Sequence, residues 1–381
     1  MTYSLHALSV GRLGLALLLT CPALAAQAVT PSGPVSRAPV PTRQFLTPEQ
    51  AEILSYQSIV YLDDGQGDTV KTLRIEGINV QVVNGQGTTN TTNGLGNLIV
   101  GYNELGNFNG DDRTGSHNLV TGQANSFTSH GGLMAGQSNT SSGPWSSVSG
   151  GYGNTAHGDR SSVSGGAFNE AYGKSSSVNG GRANQAAGYA SSVSSGQFNL
   201  ASGYVSSVSG GYNNTAYSAA SSVSGGRSNT ASGLQSSVSG GFNNTASGSR
   251  SSVSGGTQNT AYGTDSSVSG GANNVTNSAT SSVSGGYGNE AAGFASSVSG
   301  GYKNTASGDY SSATGGRINT ASGLFSWVSG GEDNTAGADN SSVSGGRQNT
   351  ANGNFSSVSG GLSRSASVIY NWAAGSLSES H

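Results

Sequence analysis

The residues with the most chemical promise are threonines. Thr215, Thr230, Thr245, Thr260, Thr305 and Thr320 each follow an Asn and fall at multiples of fifteen residues from one another. Hydroxyls at fixed spacing on a flat surface can order water or a sugar chain, so this column is a candidate surface for ice or polysaccharide. Glu170, Gln185, Leu200, Val275 and Glu290 interrupt the same place, which weakens the ice reading. Aromatics at variable places (Tyr152, Tyr189, Phe242, Tyr302, Tyr310, Phe325, Phe355) offer contacts for a glycan or a protein, or are scattered surface rings.

Catalytic patterns do not emerge. His117, His130, His157 and His381 have no mutual metal-ligand spacing and no repeated carboxylate partner, so each reads as solvated surface. The single cysteine, Cys21, lies in an N-terminal apolar run. The sequence has no GxSxG elbow between a strand and a helix, and no GxxxxGK[ST] phosphate loop. The stretches "DDGQGD" (63–68) and "NGDD" (109–112) are candidate calcium turns, although Asp/Gly turns are commoner than ion sites. The reading is of a non-enzyme with no cofactor.

Composition supports that direction. Of 381 residues 63 are Gly and only 9% are charged, with a formal net charge of −3. An ordinary globular surface carries about a quarter charged residues. No basic face exists for neutralising phosphates, so nucleic acid is not an expected partner. Residues 1–28 read as a signal peptide: Arg12, a short apolar core, then "ALA" or "AQA" for cleavage. No later run is long enough for a membrane-spanning helix. A secreted or cell-surface location follows, without a transmembrane anchor.

Residues 29–44 are a Pro-rich linker. Residues 45–93 read as a small α+β cap. Thr47, Pro48 and Gln50 form a helix start with a capping box, "SIVYL" is strand-like, and "VKTLRIEG" and "INVQVVNG" alternate. Leu73, Ile75, Ile78, Val80 and Val82 are its expected buried side.

Beyond the cap the chain is a repeat. Val148, Val163, Val208, Val238, Val253, Val298 and Val358 belong to a column that recurs every fifteen residues, with Ala313 its one exception. Asn154, Asn169, Asn214, Asn244, Asn259, Asn304 and Asn349 mark a second column. Leu133, Leu119 and Ala373 extend the Val column to both sides, giving about nineteen coils of 14–15 residues between 94 and 376, then a tail at 377–381. Strand alternation in "SSVSGG" points Val inward and the flanking Ser outward, and the paired Gly supply a corner. Stacked coils would align the Asn side chains in an amide ladder. "SVIYNWAAGS" at 367–376 would close the far end. The fold class is an all-β parallel β-solenoid, or β-roll.

At these residues the chain resembles the head repeats of YadA-like trimeric autotransporter adhesins, whose repeat reads S-V-A-I-G with a following A-x-G. In "SVSGGTQNTAYG" (252–263) the Ser-Val, Gly256, Ala261 and Gly263 match those offsets. The resemblance covers roughly 94–376 and implies a left-handed β-roll, a bacterial surface location, a role in adhesion and a possible homotrimer. The sequence departs from the pattern at Gly255 and its equivalents, where the family has an inward Ile. It also shows no heptad stalk or C-terminal anchor barrel, so self-transport is not expected. The expected function is a structural or adhesive rod whose partner is a surface, a glycan or a protein; the alternative is a polysaccharide- or ice-binding solenoid.

Overall fold

The computed structural model describes residues 46–375 and the strand Leu377–Glu379. The expected signal segment and the Pro-rich linker lie outside the described residues, as does His381. The chain divides into two compact units that meet in sequence at Asn79 and Val80.

In the first unit, helix α1 (Pro48–Ser55) starts on a reciprocal cap. The Gln50 N–H donates to Thr47 Oγ1 at 3.3 Å, and the Thr47 N–H donates to Gln50 Oε1 at 3.0 Å. Strands β1 (Gln57–Asp63) and β2 (Thr69–Ile75) pair antiparallel, with Ile59 opposite Leu73 and Leu62 opposite Val70. The expected conventional core does not form: Leu73, Ile75, Ile78, Val80 and Val82 are all between 42% and 66% exposed. A two-stranded hairpin has no second layer, so its alternation buries nothing by itself. "INVQVVNG" forms no strand, and from Val80 onward it belongs to the second unit.

The second unit is a parallel β-solenoid. One ladder of nineteen parallel strands runs from β3 (Leu98–Val100) and β4 (Leu119–Thr121) to Trp372–Ala374. A second ladder of seventeen runs from Ser126–Phe127 to Ser365–Ala366. Seventeen turns therefore carry both strands, a length of about 80 Å at roughly 4.8 Å per turn. Most strands are two residues long and pair with their counterparts one turn away: Val238 with Val223 and Val253, Ala246 with Ala231 and Ala261. A third line of single bridges passes through Tyr212, Arg227, Phe242 and Thr257.

The interior is more polar than Val and Ala alone. Val238 and Ala246 are buried, and so are Ser236 and Asn244 of the same coil. The first Ser of each "SSV" thus points inward, because residues two apart on a strand share a face. Only the second, such as Ser237, is half-exposed. The inward hydroxyl often donates to the carbonyl three residues back, as from Ser236 to Gly233 at 2.8 Å. Each buried Val contributes roughly 1.5–3 kcal/mol, too little to fix one coil but sufficient when summed along neighbours.

The Asn column is not an amide-to-amide ladder. Asn244 Nδ2 donates to Gly240 O at 2.8 Å and to Gly256 O at 2.9 Å. Its Oδ1 accepts the backbone N–H of Asn259 at 3.0 Å. The same three bonds recur with Asn154, Asn169, Asn214, Asn259 and Asn304, so each amide joins side chain to backbone across two turns. Satisfying every polar atom is what allows an amide to lie in so narrow a core.

Near the start the register differs from expectation. Met134 pairs with Val148, and Val120 with Met134, so Met134, Val120 and Ile99 fill the Val column. Leu133, Leu119 and Leu98 instead stand one place out, where later coils have Ser; Leu98 and Leu119 are 54% and 43% exposed. The step from Met134 to Val148, fourteen residues instead of fifteen, accounts for the shift, since one residue fewer reverses which side chains face inward.

The paired glycines are not equivalent. Gly256 has φ +86°, and a Cβ there would overlap the Gly271 carbonyl oxygen. Gly255 has open space around it, which explains why Ser195 can occupy the same place in its coil. Two non-glycine residues per coil also take left-handed angles, such as Asn243 and Arg250, both at φ 56°. A coil therefore has three positions of positive φ, such as Gly241, Asn243 and Arg250, and not only the corner expected at the paired Gly.

Neighbouring segments hydrogen-bond to the ends of the ladders. At the start of the second ladder, Asp112 O accepts the Phe127 N–H and the Ser126 hydroxyl, both at 2.8 Å. At the far end Leu377–Glu379 pairs antiparallel with Trp372–Ala374, so part of the expected tail is a closing strand. Ile369, Tyr370 and Trp372 do not plug the end; they are between 37% and 60% exposed.

Candidate functional site

The rod leaves its chemistry on outward columns. Thr215, Thr230, Thr245 and Thr260 stand in register on the second ladder, as do Thr305, Thr320, Thr335 and Thr350. Val275 and Glu290 fill the two turns between these runs. These Thr side chains are half-buried, whereas Thr155 is only 4% exposed. The loop 101–113 covers that first stretch: Asn109 Nδ2 donates to Thr155 Oγ1 at 3.1 Å, and Phe108 meets Tyr152 edge-on at 5.4 Å. The outer face of the first ladder offers mainly Ser, interrupted by Trp327 and Trp372.

The aromatics mostly meet one another along the rod. Tyr310 stacks on Phe325 at 4.9 Å, Phe355 on Tyr370 at 5.2 Å, and Tyr189 on Tyr204 at 5.1 Å. Rings stacked this way turn faces toward their neighbours in the chain, and a sugar that stacks on an aromatic needs an open face. Phe242 and Tyr212 flank the Arg227 guanidinium at 5.7 and 5.5 Å. These pairs add cohesion between turns, about 0.5–1.5 kcal/mol each for aromatic pairs. The guanidiniums, the ring edges and the unstacked rings of Tyr217 and Tyr262 remain the groups able to touch a partner.

Ion pairs also run from turn to turn. Arg250 grips Asp265 with two bonds of 2.6 Å and holds its carboxyl below the usual range, chiefly through hydrogen bonding. Glu332 lies between Arg317 and Arg347, at 3.5 and 3.7 Å. All of these side chains are well exposed, so each pair contributes little to stability.

The histidines are not uniformly solvated. His117 receives the Asn84 N–H at Nε2, 3.2 Å away, and its Nδ1 lies 3.0 Å from Thr89 O. It therefore ties the segment that begins at Val80 to the first coils, beside a groove lined by Gln81, Val82 and Thr89. His130 is buried and meets Trp145 edge-on at 4.9 Å. His157 is exposed and stacks on Tyr172. Nothing in the residue spacing announced the His117 contact, because it depends on a segment that is neither strand nor repeat.

The two Asp-rich turns are self-satisfied. Asp64 Oδ1 accepts the Gln66 and Asp68 N–H groups at 2.8 and 3.0 Å, which lowers its pKa. Asp111 accepts from Asn107 and Gly106 and is lowered likewise. Among the described residues no group of three or more His, Cys, Asp or Glu is placed to hold a metal ion, and no helix is long and apolar enough to cross a membrane. No protein-family model matches the chain, and no curated protein matches it.

Proposed function

We propose that the chain is an exported, non-enzymatic rod of the bacterial surface or extracellular space, with a structural and adhesive role. The observation that carries this reading is the division of labour within each coil. Inward places are nearly invariant and closed to ligand, whereas variation is confined to outward columns such as Tyr212, Arg227, Phe242, Thr257 and Ala272. A long surface of varied side chains on a uniform scaffold suits many weak contacts with a surface, glycan or protein. The resemblance to YadA-like heads supports the same role.

Self-association into a homotrimer belongs to this reading. Its support is the outward apolar set at the first coils, Leu98, Val100 and Leu119, in places where later coils present Ser. Contiguous exposed apolar side chains of this kind mark interaction surfaces. Cell fractionation tests export: the chain should appear outside the cytoplasm, processed near residue 28, and a full-length cytoplasmic product would overturn the proposal. Sedimentation equilibrium tests assembly, where a trimer is expected and a monomer at every concentration would contradict it.

A further inference from the structure

Two pairs of tyrosines stand one turn apart with their rings face to face. Tyr189 and Tyr204 are 5.1 Å apart between centroids at 6°, and Tyr287 and Tyr302 are 5.4 Å apart at 8°. All four are exposed, between 40% and 60%. The backbone beneath holds each pair in place. The Val205 N–H donates to Tyr189 O, the Lys303 N–H to Tyr287 O, both at 2.8 Å, and Tyr287 bridges directly to Tyr302. The rings thus cannot drift out of register while the ladder stands.

The described residues contain no cysteine, since the only one is Cys21. Disulfide staples are therefore closed to the rod. Met134, the one methionine in it, is 1% exposed and shielded from oxidants. Exposed phenols are readily oxidised by one-electron oxidants, and here two phenols are already paired.

We propose that Tyr189–Tyr204 and Tyr287–Tyr302 are oxidative cross-linking sites, forming dityrosine between successive turns when a peroxidase and hydrogen peroxide are present. Each phenol gives up one electron and its O–H proton. The two phenoxyl radicals join through ring carbons ortho to oxygen, and the two displaced ortho hydrogens return to the oxygens. One carbon–carbon bond forms, two hydrogens are lost in total, and one hydrogen peroxide becomes two waters. The staple closes a loop of fifteen residues along the chain and so restricts the unfolded state as a disulfide does.

Tyr217 and Tyr262 provide the internal comparison, being 65% and 57% exposed without a ring of the next turn stacked on them. The full mature chain is treated in dilute solution with horseradish peroxidase and hydrogen peroxide, then analysed by dityrosine fluorescence, denaturing gel and peptide mass. The expected result is dityrosine in the single-chain band, a loss of two hydrogens in the peptides holding each pair, and slower thermal unfolding. The double variant Tyr204→Phe, Tyr302→Phe keeps the rings stacked and should lose the signal at least tenfold. The double variant Tyr217→Phe, Tyr262→Phe should keep it. Undiminished dityrosine in the first variant, products only between chains, or no dityrosine at all would overturn the proposal.

Discussion

The side-chain oxygen of Asn244 accepts the backbone N–H of Asn259, fifteen residues and one turn away, at 3.0 Å. Asn259 repeats the gesture toward Asn274 at the same distance. Each amide thus fixes the position of the Asn in the next turn, which keeps successive coils in register. The bond also survives a change of coil length: across the fourteen-residue step from Asn125 to Asn139 the Asn139 N–H still donates to Asn125 Oδ1 at 3.0 Å.

Replacing Asn259 by Ala is expected to leave the Asn274 N–H and the Gly255 carbonyl without a partner, whereas the Gly271 carbonyl keeps the Thr257 N–H. At about 1–3 kcal/mol for each group left unsatisfied, the loss is about 2 kcal/mol or more. Asn259→Asp should be worse at neutral pH, because a carboxylate oxygen would then face two carbonyls in the core. Urea unfolding of the three chains checks the order wild type, Ala, Asp.

Gly256→Ala and Gly255→Ser should separate sharply. The first places a Cβ against the Gly271 carbonyl at a positive φ, and is expected to cost about 2 kcal/mol or more. The second enters open space, as Ser195 does, and should change stability by less than about 0.5 kcal/mol. Melting curves on both variants decide it; equal effects would contradict the stacking geometry.

Thr276 takes the place that Ala holds in most coils, and its hydroxyl donates to buried Ser266 at 2.9 Å. Ser141, in the same place, lies 2.6 Å from the Ser146 hydroxyl and shares a hydrogen bond with it. Ser266→Ala should therefore cost about 1–3 kcal/mol by stranding the Thr276 hydroxyl, and adding Thr276→Ala should recover most of that loss. A double-mutant cycle measures the coupling, which should be positive and near 1 kcal/mol or more.

Asp265 titrates below an ordinary carboxyl, first because Arg250 hydrogen-bonds it and then through that residue's charge. A depressed folded-state pKa stabilises above the unfolded value, near 3.9, and the effect is lost as pH falls through the folded value. In Arg250→Gln the Asp265 midpoint should rise toward 3.9. NMR titration of the Asp265 carboxyl reads this directly, and an unmoved midpoint would contradict the pairing.

Much of the rod was legible because its period is written in Val, Asn and Gly. Alternation placed Val238 inward, and spacing placed Asn244 in a column. The inward Ser236 was less visible, because a small polar residue beside a strand reads as surface until the strand's length is known. The reversal at Leu133 and Met134 was hidden too: both are apolar and adjacent, so only the pairing with Val148 decides between them. The cap failed for a different reason. Ile59, Leu73 and Ile75 have the composition of a core, but burial requires a second layer that a hairpin lacks. The left-handed corner at Ile318, φ 56°, was illegible because a β-branched residue argues locally against the angle that stacking imposes.

The central claim is that the molecule works by contact through its outward columns. Its most direct test is retention of the purified mature chain on immobilised glycans, matrix proteins and bacterial surfaces. Wild type is compared with a chain carrying Tyr212→Ser, Arg227→Ser and Phe242→Ser, and with one carrying Ser239→Ala, Ser254→Ala and Ser269→Ala on the other face. Retention on at least one surface is expected, reduced tenfold or more by the first set and unchanged by the second. No retention on any surface, or equal retention by all three chains, would contradict the account.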